Sequence, residues 1–277
     1  MSQADPDLSR VVPSYNATVL RARRSRYCVC VYVINEGDRL RRQLARMRSF
    51  SAEIDIVIAD GGSTDGSTDL SFLKEQGVAA LLTKTSAGKL SSQMRMAFAW
   101  ALSQGYDGVV CVDGNDKDGI EETPTFIRCL EEGYDHVQGS RFMIGGEHRN
   151  TPTLRLLAVR ALHVPLISLA AGIRYTDTTN GYRAYSAKLL TDSRMALFRD
   201  IFSDYELHYY LAVRAPRLGL QCKEIPVSRC YPPTGKTPTK IRSFAAHLRV
   251  LAQLVGVCIG AYNPDSRFLS YLLRRSG

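Results

Sequence analysis

The 277-residue sequence has no long hydrophobic run, no CxxC pair and a single tryptophan. No window reaches about 18 uninterrupted apolar residues, and the first residues lack an apolar signal core, so we expect neither a membrane span nor secretion. The seven cysteines are scattered, several of them in apolar, strand-like segments, which is typical of buried thiols in a reducing compartment. These absences disfavour a disulfide scaffold and favour a cytoplasmic protein.

Two common nucleotide-binding motifs are also missing. There is no GxxxxGK[ST] and no GxGxxG after the first apolar segment, so neither a P-loop nor a dinucleotide-binding site is favoured. The stretch "AGKLSS" places Gly and Lys before a helical segment, but it lacks the second glycine of a phosphate loop.

Positive charge dominates the composition, because 36 Lys and Arg residues against 27 Asp and Glu residues give a net charge of +9. This excess favours anionic partners such as nucleotides, phosphates or an anionic membrane surface. The basic residues are not interleaved with an aromatic stacking surface, so we do not expect nucleic-acid binding. The polar first segment ends in "RARRSR", and we predict that residues 1–26 form a flexible basic arm.

From Tyr27 onward, strand-like segments alternate with helical ones. The segments "YCVCVYVI", "IDIVIAD", "VAALLTK" and "DGVVCVDG" are short and apolar, whereas the segments between them carry apolar residues at helical spacing. Repeating units of about 30 residues with this pattern indicate βαβ crossovers. We therefore predict an α/β fold with a Rossmann-like, mostly parallel central sheet and helices on both faces.

Polar side chains follow three of these strands, near Asn35, Asp60 and Asp113. In open α/β sheets, ligands bind at the carboxyl ends of the strands, so the three clusters predict one site. The third cluster, "VCVDGNDKDG", crowds several carboxylates directly behind an apolar strand. Carboxylates this close persist when they are solvated, hydrogen-bonded or neutralised by a cation, and the pattern alone leaves these three explanations open.

The chain resembles family 2 glycosyltransferases with the GT-A fold. The resemblance lies in five ordered motifs, "VYVINEGDRL", "VIADGGSTDGSTD", "GVVCVDGND", "GSRF" and "DTTNGYRAYSAKLL". The later segment "YELHYYLAVRAPRLGLQCKEIPVSRCYPPTGKTPTKI" is similar to the closing segment of dolichol- and polyprenyl-phosphate mannosyltransferases. The resemblance covers about Tyr27 to Ile241. We assign a GT-A domain to residues 27–240 and an amphipathic helical tail to residues 241–277.

The resemblance implies that a UDP- or GDP-linked sugar binds at the strand ends. The base and ribose would meet Asn35, Glu36 and Asp60, and Ala59 replaces one of the two acids that are usual in the family. Lys89 would approach the donor. Asp177 would bind sugar hydroxyls. A simple helix cap is the alternative for the Asp60 loop.

The resemblance also implies that Mg²⁺ or Mn²⁺ bridges the donor diphosphate at the "DGND" turn. Asp113, Asn115 and Asp116 are the predicted metal ligands, and Gly114 is a predicted donor contact. Lys117 stands where the mannosyltransferase branch often has a further polar ligand. Either a neighbouring acid, Asp116 or Asp118, replaces that ligand, or Lys117 itself neutralises phosphate. A solvated acidic turn is the remaining alternative.

Basic and acidic residues elsewhere complete the predicted site. By resemblance Arg141 contacts a phosphate, and a structural salt bridge is the alternative for this residue. Arg229 and Lys236 lie on a loop that is rich in turn residues. This loop is either a mobile lid over phosphates or a plain basic surface loop. An inverting transferase with a hydroxyl acceptor needs a carboxylate base, for which Glu206 and Asp204 are the candidates. A lipid phosphate acceptor is already ionised and needs no base.

These patterns predict a metal-dependent, inverting glycosyltransferase that uses a nucleotide-sugar donor, with a polyprenyl phosphate favoured as acceptor. The alternatives are a transferase to a soluble or lipopolysaccharide-type glycan and a non-catalytic nucleotide-sugar-binding protein. Two amphipathic segments, residues 153–173 and 244–262, carry arginines among leucines. We expect these charges to prevent spanning, and the pattern favours peripheral contact with the inner face of the membrane as much as core packing.

Overall fold

A mixed eight-stranded sheet lies at the centre of the computed structural model, which describes residues 12–232, 244–264 and 266. Its spatial order is β1-β4-β3-β2-β5-β8-β6-β9, and β7 pairs with β10 separately. The strands are β1 (Tyr15–Val19), β2 (Tyr27–Val33), β3 (Asp55–Asp60), β4 (Ala80–Lys84), β5 (Gly108–Asp113), β6 (His136–Ser140), β7 (Glu147–Arg149), β8 (Arg183–Ser186), β9 (Cys222–Pro226) and β10 (Ser228–Cys230).

Parallel pairing dominates the sheet, as the sequence predicts. Strands β4, β3, β2 and β5 are parallel neighbours, and so are β6 and β9. Strand β8 runs antiparallel between β5 and β6, and β1 runs antiparallel along β4.

Helices cover both faces of the sheet. They are α1 (Asp38–Met47), α2 (Leu70–Glu75), α3 (Leu90–Ser103), α4 (Thr123–Glu131), α5 (Thr153–Ala158), α6 (Val164–Ala171), α7 (Ala187–Thr191), α8 (Glu206–Arg217) and α9 (Phe244–Cys258). A π-helical turn, Val159–His163, joins α5 to α6.

Two hydrophobic cores flank the sheet because side chains alternate along each strand. On β2, Cys28 and Cys30 face the core formed with α3, α6, α8 and α9. Val29 and Val31 face the opposite core, which is formed with α1, α2 and α4. This arrangement confirms the predicted α/β class with helices on both faces.

The N-terminal segment differs from the predicted flexible arm in the part that the structure describes. Residues Tyr15–Val19 form the edge strand β1, which pairs with β4 over five residue positions. The Arg21 guanidinium forms an ion pair with the buried Asp55 carboxylate. The arginine cluster therefore helps to attach this segment to the domain.

The segment Thr153–Ala171 is a helix of 19 residues with a mean hydropathy of 1.6, which is long and apolar enough to cross a membrane by length and composition. The expectation that its charges prevent spanning is therefore wrong by this criterion, because two arginines do not lower the mean hydropathy enough. Only 17% of its most apolar window is buried. This low burial also contradicts core packing for most of the segment.

The cysteines agree only in part with the predicted buried thiols. Cys28, Cys30, Cys111 and Cys129 are buried, whereas Cys230 is exposed. Cys230 ends the short strand β10, which lies outside the central sheet.

Candidate active site

A cavity of about 600 Å³ opens at the carboxyl ends of β2, β3 and β5. These ends are brought together by parallel pairing, in which Tyr32 lies opposite Asp113 and Val33 opposite Asp60. The three polar clusters found in the sequence therefore meet at one edge of the sheet, as predicted.

The cavity is strongly cationic. Six of its lining residues are basic and two are acidic: Arg39, Lys89, Lys117, Arg155, Arg183 and Arg229 against Glu36 and Asp113. Both acids are already paired, since Arg39 lies 2.8 Å from Glu36 and Arg229 lies 3.0 Å from Asp113. A cavity with this charge favours a ligand that carries several negative charges, such as a diphosphate.

Arg229 links the carboxylate at the end of β5 to a carboxylate in the turn that follows. Its Nη1 donates to both oxygens of the fully buried Asp118 at 2.6 and 2.7 Å, and its Nη2 donates to Asp113 Oδ2 at 3.0 Å. Burial opposes the charge of Arg229, but Asp118 and Asp113 outweigh it and raise the pKa of the guanidinium. Burial likewise opposes the charge of Asp113, yet Arg229 and Lys117 lower the pKa of this carboxyl. The carboxylates of this turn are therefore neutralised by protein cations, which is one of the explanations that the sequence left open.

Lys117 lines the same wall of the cavity and is only 6% exposed. Its Nζ lies 5.2 Å from the centre of the Tyr231 ring. Burial and the neighbouring Arg229 lower the pKa of Lys117 to about 8, so the side chain is mostly charged at neutral pH. Arg155 of α5 donates to the Tyr231 hydroxyl at 2.8 Å and brings another cation to this wall.

Two of the three predicted metal ligands fit a cation site. Asp113 and Asn115 both line the cavity. The Asn115 amide nitrogen donates to Asp113 Oδ2 at 3.2 Å, while the buried Oδ1 of Asn115 has no hydrogen-bond partner among the described residues. A carboxylate and an unsatisfied amide oxygen are the ligands that Mg²⁺ and Mn²⁺ accept.

Asp116, the third predicted metal ligand, does not lie at the cation site. Its backbone has a φ of 56°, and its carboxylate pairs with Arg42 and Arg46 of α1, each at 3.0 Å. It does not line the cavity. Within the described parts of the chain, no group of three His, Cys, Asp or Glu side chains is arranged to hold a metal. A cation here would thus need oxygen ligands from the donor itself.

Arg141 and Asp177 form a buried ion pair with each other. Arg141 Nε lies 2.6 Å and Nη2 lies 2.9 Å from the Asp177 carboxylate, and both side chains are at most 2% exposed. Burial opposes the charge of Asp177, but hydrogen bonds from Arg141 lower the pKa of the carboxyl. Neither residue lines the cavity. The structural salt bridge therefore replaces the predicted phosphate contact of Arg141 and the predicted sugar contact of Asp177.

The two candidate bases are engaged elsewhere. Glu206 Oε1 accepts from the backbone N–H of Ser203 and from that of Asp204, and so holds the loop before α8. Burial raises the pKa of Glu206. Lys89 Nζ lies 3.1 and 3.2 Å from the two carboxylate oxygens of Asp204. Lys89 lines the cavity, whereas Glu206 and Asp204 do not.

The remaining predicted donor residues divide between the cavity wall and its supports. Glu36 lines the cavity, whereas Asp60 accepts from the Ser63 hydroxyl and N–H and so caps its own turn. Asn35 Oδ1 accepts from Thr64 N–H, which ties the loop after β2 to the loop after β3. A Cβ at Gly114 would lie 2.9 Å from Val33 Cγ2, so this glycine lets the turn after β5 pass over β2.

Lys236 lies outside the described residues. Several polar cavity-lining residues were not predicted, among them Arg39, Gln93, Arg155, Arg183 and His208. The sequence signals for these residues are weak, because Gln93 and His208 lie within helical segments and Arg155 is one of several charges in an amphipathic stretch. Their position at the cavity depends on how helices pack against the sheet.

Comparison with known proteins identifies the family. The model of the family described as "Glycosyl transferase family 2" matches residues 28–205. An undecaprenyl-phosphate mannosyltransferase from Micrococcus luteus is 31% identical over 199 residues, covering 70% of this chain and 79% of the relative. A polyprenol monophosphomannose synthase from Mycolicibacterium smegmatis is 27% identical over 215 residues, covering 76% of this chain and 79% of the relative.

Solved structures confirm the fold. Glucosyl-3-phosphoglycerate synthase from Mycobacterium tuberculosis, solved with phosphoglyceric acid, has a TM-score of 0.60 at 18% identity and covers 87% of this chain and 81% of the other. The same enzyme with Mn²⁺, UDP and glucosyl-3-phosphoglycerate has a TM-score of 0.55 at 18% identity, with the same coverage. These likenesses confirm the predicted GT-A fold.

Proposed function

The chain belongs to glycosyltransferase family 2, and we propose that it transfers a sugar from a UDP- or GDP-linked donor to a polyprenyl phosphate with inversion at the anomeric carbon. It is a nucleotide-sugar-dependent glycosyltransferase by family and by its relatives. The acceptor, the stereochemistry and the metal are the parts that we propose. The names of two relatives, which refer to undecaprenyl phosphate and polyprenol monophosphomannose, support the choice of acceptor.

The observation that carries this proposal is that no unpaired carboxylate lines the cavity in the described part of the chain. Among the described residues, both carboxylates that line the cavity are ion-paired, and the two predicted bases do not line it. A hydroxyl acceptor would need such a base to take its proton. A phosphate acceptor is already ionised, and the cations of the cavity would hold both it and the donor diphosphate. We propose that Arg155 contacts the acceptor, and its position on the exposed helical segment and in the cavity lining supports this role.

A divalent cation fits the donor side of this site. Asp113 and Asn115 would hold it, and it would stabilise the negative charge of the departing nucleoside diphosphate. The protein side chains position the reacting groups. Arg229 fixes Asp113, and the cavity cations orient the diphosphate in line with the attacking phosphate oxygen.

The exposed apolar side chains support peripheral membrane contact. Eight of the twelve exposed large aliphatic residues in the described part of the chain lie on or directly after α5, α6 and α9: Leu154, Leu157, Leu162, Leu169, Ile173, Leu248, Val255 and Ile259. Helix α9 packs on α6 and α8 through Leu254 and Val257, which leaves its other side outward. Such a surface beside the cavity suits an acceptor whose polyprenyl chain stays in the bilayer.

The test is whether a carboxylate base is required. We expect Glu206→Gln and Asp204→Asn to keep transfer to undecaprenyl phosphate within about threefold of wild type, because neither group lines the cavity. Asp113→Ala is the control that should abolish transfer. General-base catalysis contributes roughly 10²- to 10⁴-fold. A loss of that size in either variant, with UDP or GDP binding retained, would overturn the proposal and favour a hydroxyl-bearing glycan acceptor.

A further inference from the structure

We infer that Tyr231 is a positioning residue, which holds Arg155 at the part of the cavity wall where the acceptor phosphate binds; this inference rests on the proposed function. Tyr231 directly follows β10 and is only 3% exposed. It does not line the cavity itself, whereas Arg155 does. An effect of this tyrosine on the acceptor therefore has to pass through a neighbouring side chain.

The Tyr231 hydroxyl is bonded to the Arg155 guanidinium. Arg155 Nη1 donates to the hydroxyl oxygen at 2.8 Å, and the guanidinium carbon lies 5.7 Å from the centre of the tyrosine ring. Among the described residues, the Arg155 side chain makes no other hydrogen bond and no ion pair with a carboxylate. A hydrogen bond from a charged donor is stronger than one between neutral groups, so this single contact favours one direction of the arginine side chain.

Helix α5 gives Arg155 little support by packing. None of the residues Thr153–Ala158 is buried, so this short helix lies against the domain without a side chain in the core. An arginine loses more rotamer freedom than most side chains when it is held in one conformation. The Tyr231 hydroxyl is therefore the contact that offsets this loss and keeps the guanidinium at the cavity.

Tyr231 is held firmly enough to serve as this support. Its N–H donates to the Arg149 carbonyl at 3.0 Å, and its carbonyl accepts from Asn150 Nδ2 at 3.1 Å. The guanidinium carbon of Arg229 lies 5.8 Å from the centre of its ring, at a distance where a cation is attracted to an aromatic ring. The buried ring thus lies between Arg229, on the donor side of the cavity, and Arg155.

The experiment removes only the hydroxyl, because Tyr231→Phe keeps the ring and its buried volume. Steady-state transfer to undecaprenyl phosphate should show a KM for this acceptor about 10-fold above wild type, as for the loss of a hydrogen bond to a charged group. The KM for the nucleotide sugar should stay at the wild-type value. Tyr134→Phe is the matched control, because the Tyr134 ring lies 4.6 Å from the ammonium group of Lys223, which does not line the cavity. This variant should behave as wild type does.

A double-mutant cycle tests whether Tyr231 acts through Arg155. Arg155→Ala should raise the KM for undecaprenyl phosphate at least as much as Tyr231→Phe does. Adding Tyr231→Phe to Arg155→Ala should then raise it no further, because the side chain that the hydroxyl positions is already gone. An equal rise in both backgrounds would overturn the positioning role.

The outcomes separate this inference from the proposed function. A Tyr231→Phe variant with the wild-type KM for undecaprenyl phosphate, or with an equal rise in both KM values, would overturn the role of Tyr231 and leave the transferase proposal standing. A folded wild-type protein that transfers no sugar to undecaprenyl phosphate from UDP- or GDP-linked donors would overturn the proposed function itself. Circular dichroism and the thermal midpoint of each variant establish that it is folded.

Discussion

Replacing Arg229 by methionine removes the cation that neutralises the turn after β5. Arg229 donates to both oxygens of Asp118, which is fully buried, and to Asp113 at the cavity wall. Methionine fills much of the same volume without a charge. The variant therefore leaves the Asp118 carboxylate buried and without its principal partner.

The expected loss of stability follows from the unpaired charge of the Asp118 carboxylate. Removing one partner of a buried ion pair costs about 3–5 kcal/mol. The chain can limit this loss by protonating Asp118, whose pKa burial already raises in the folded protein. At pH 7 this protonation costs about 4 kcal/mol relative to the unfolded chain, in which an Asp carboxyl has a pKa near 3.9. We therefore expect Arg229→Met to lower the free energy of unfolding by about 3–4 kcal/mol.

Urea unfolding at pH 7 measures this loss, and a double variant isolates its cause. Adding Asp118→Asn to Arg229→Met should recover about 2 kcal/mol, because an unpaired neutral amide costs less to bury than an unpaired carboxylate. A loss below about 1 kcal/mol in Arg229→Met would refute the argument, since it lies well under the cost of an uncompensated buried charge. A double variant no more stable than the single one would refute it as well.

Two further predictions concern stability against pH and membrane binding. Hydrogen bonds from Arg141 lower the pKa of buried Asp177, so this pair stabilises the fold above about pH 4, and its contribution is lost as pH falls through the lowered pKa. Arg141→Met should accordingly lower the free energy of unfolding by about 3–5 kcal/mol at pH 7, and by progressively less below pH 4. Urea unfolding at several pH values measures this loss. A loss that does not change with pH would contradict the role of the pair. Leu154→Glu and Leu169→Glu, at side chains 79% and 78% exposed, should reduce sedimentation with anionic vesicles. Leu70→Glu on α2 is the control and should bind the vesicles as wild type does. Equal binding by all variants would contradict membrane contact through α5 and α6.

Much of the fold could be predicted from the sequence, because it depends on patterns that act locally. The alternation of apolar strands and helical segments identified β2 to β5 and the helices between them, and parallel pairing then fixed where the polar clusters would meet. Strand β1 was missed because it is short, mixes polar with apolar residues and is partly exposed, as suits an edge strand. The antiparallel β8 was missed because "RAYS" is too short to show a period.

The directions and partners of the side chains at the site could not be predicted from the sequence. Asp116 follows Asn115 directly, yet its left-handed backbone turns its carboxylate toward α1 and away from the cavity. Arg141 and Asp177 are 36 residues apart, and nothing in either motif shows that they pair with each other. Glu206 has the residue type of a base, but its place at the first turn of α8 lets it accept from backbone N–H groups. These roles depend on tertiary geometry that a motif does not specify.

The most direct measurement is transfer of labelled sugar from UDP- and GDP-linked donors in vesicles that contain undecaprenyl phosphate, beside matched vesicles that contain undecaprenol. We expect a labelled glycolipid with the phosphate only, and none from Asp113→Ala, because the described part of the cavity offers cations but no unpaired carboxylate base. Product formed equally well with the alcohol, or only with a soluble glycan, would contradict transfer to a polyprenyl phosphate.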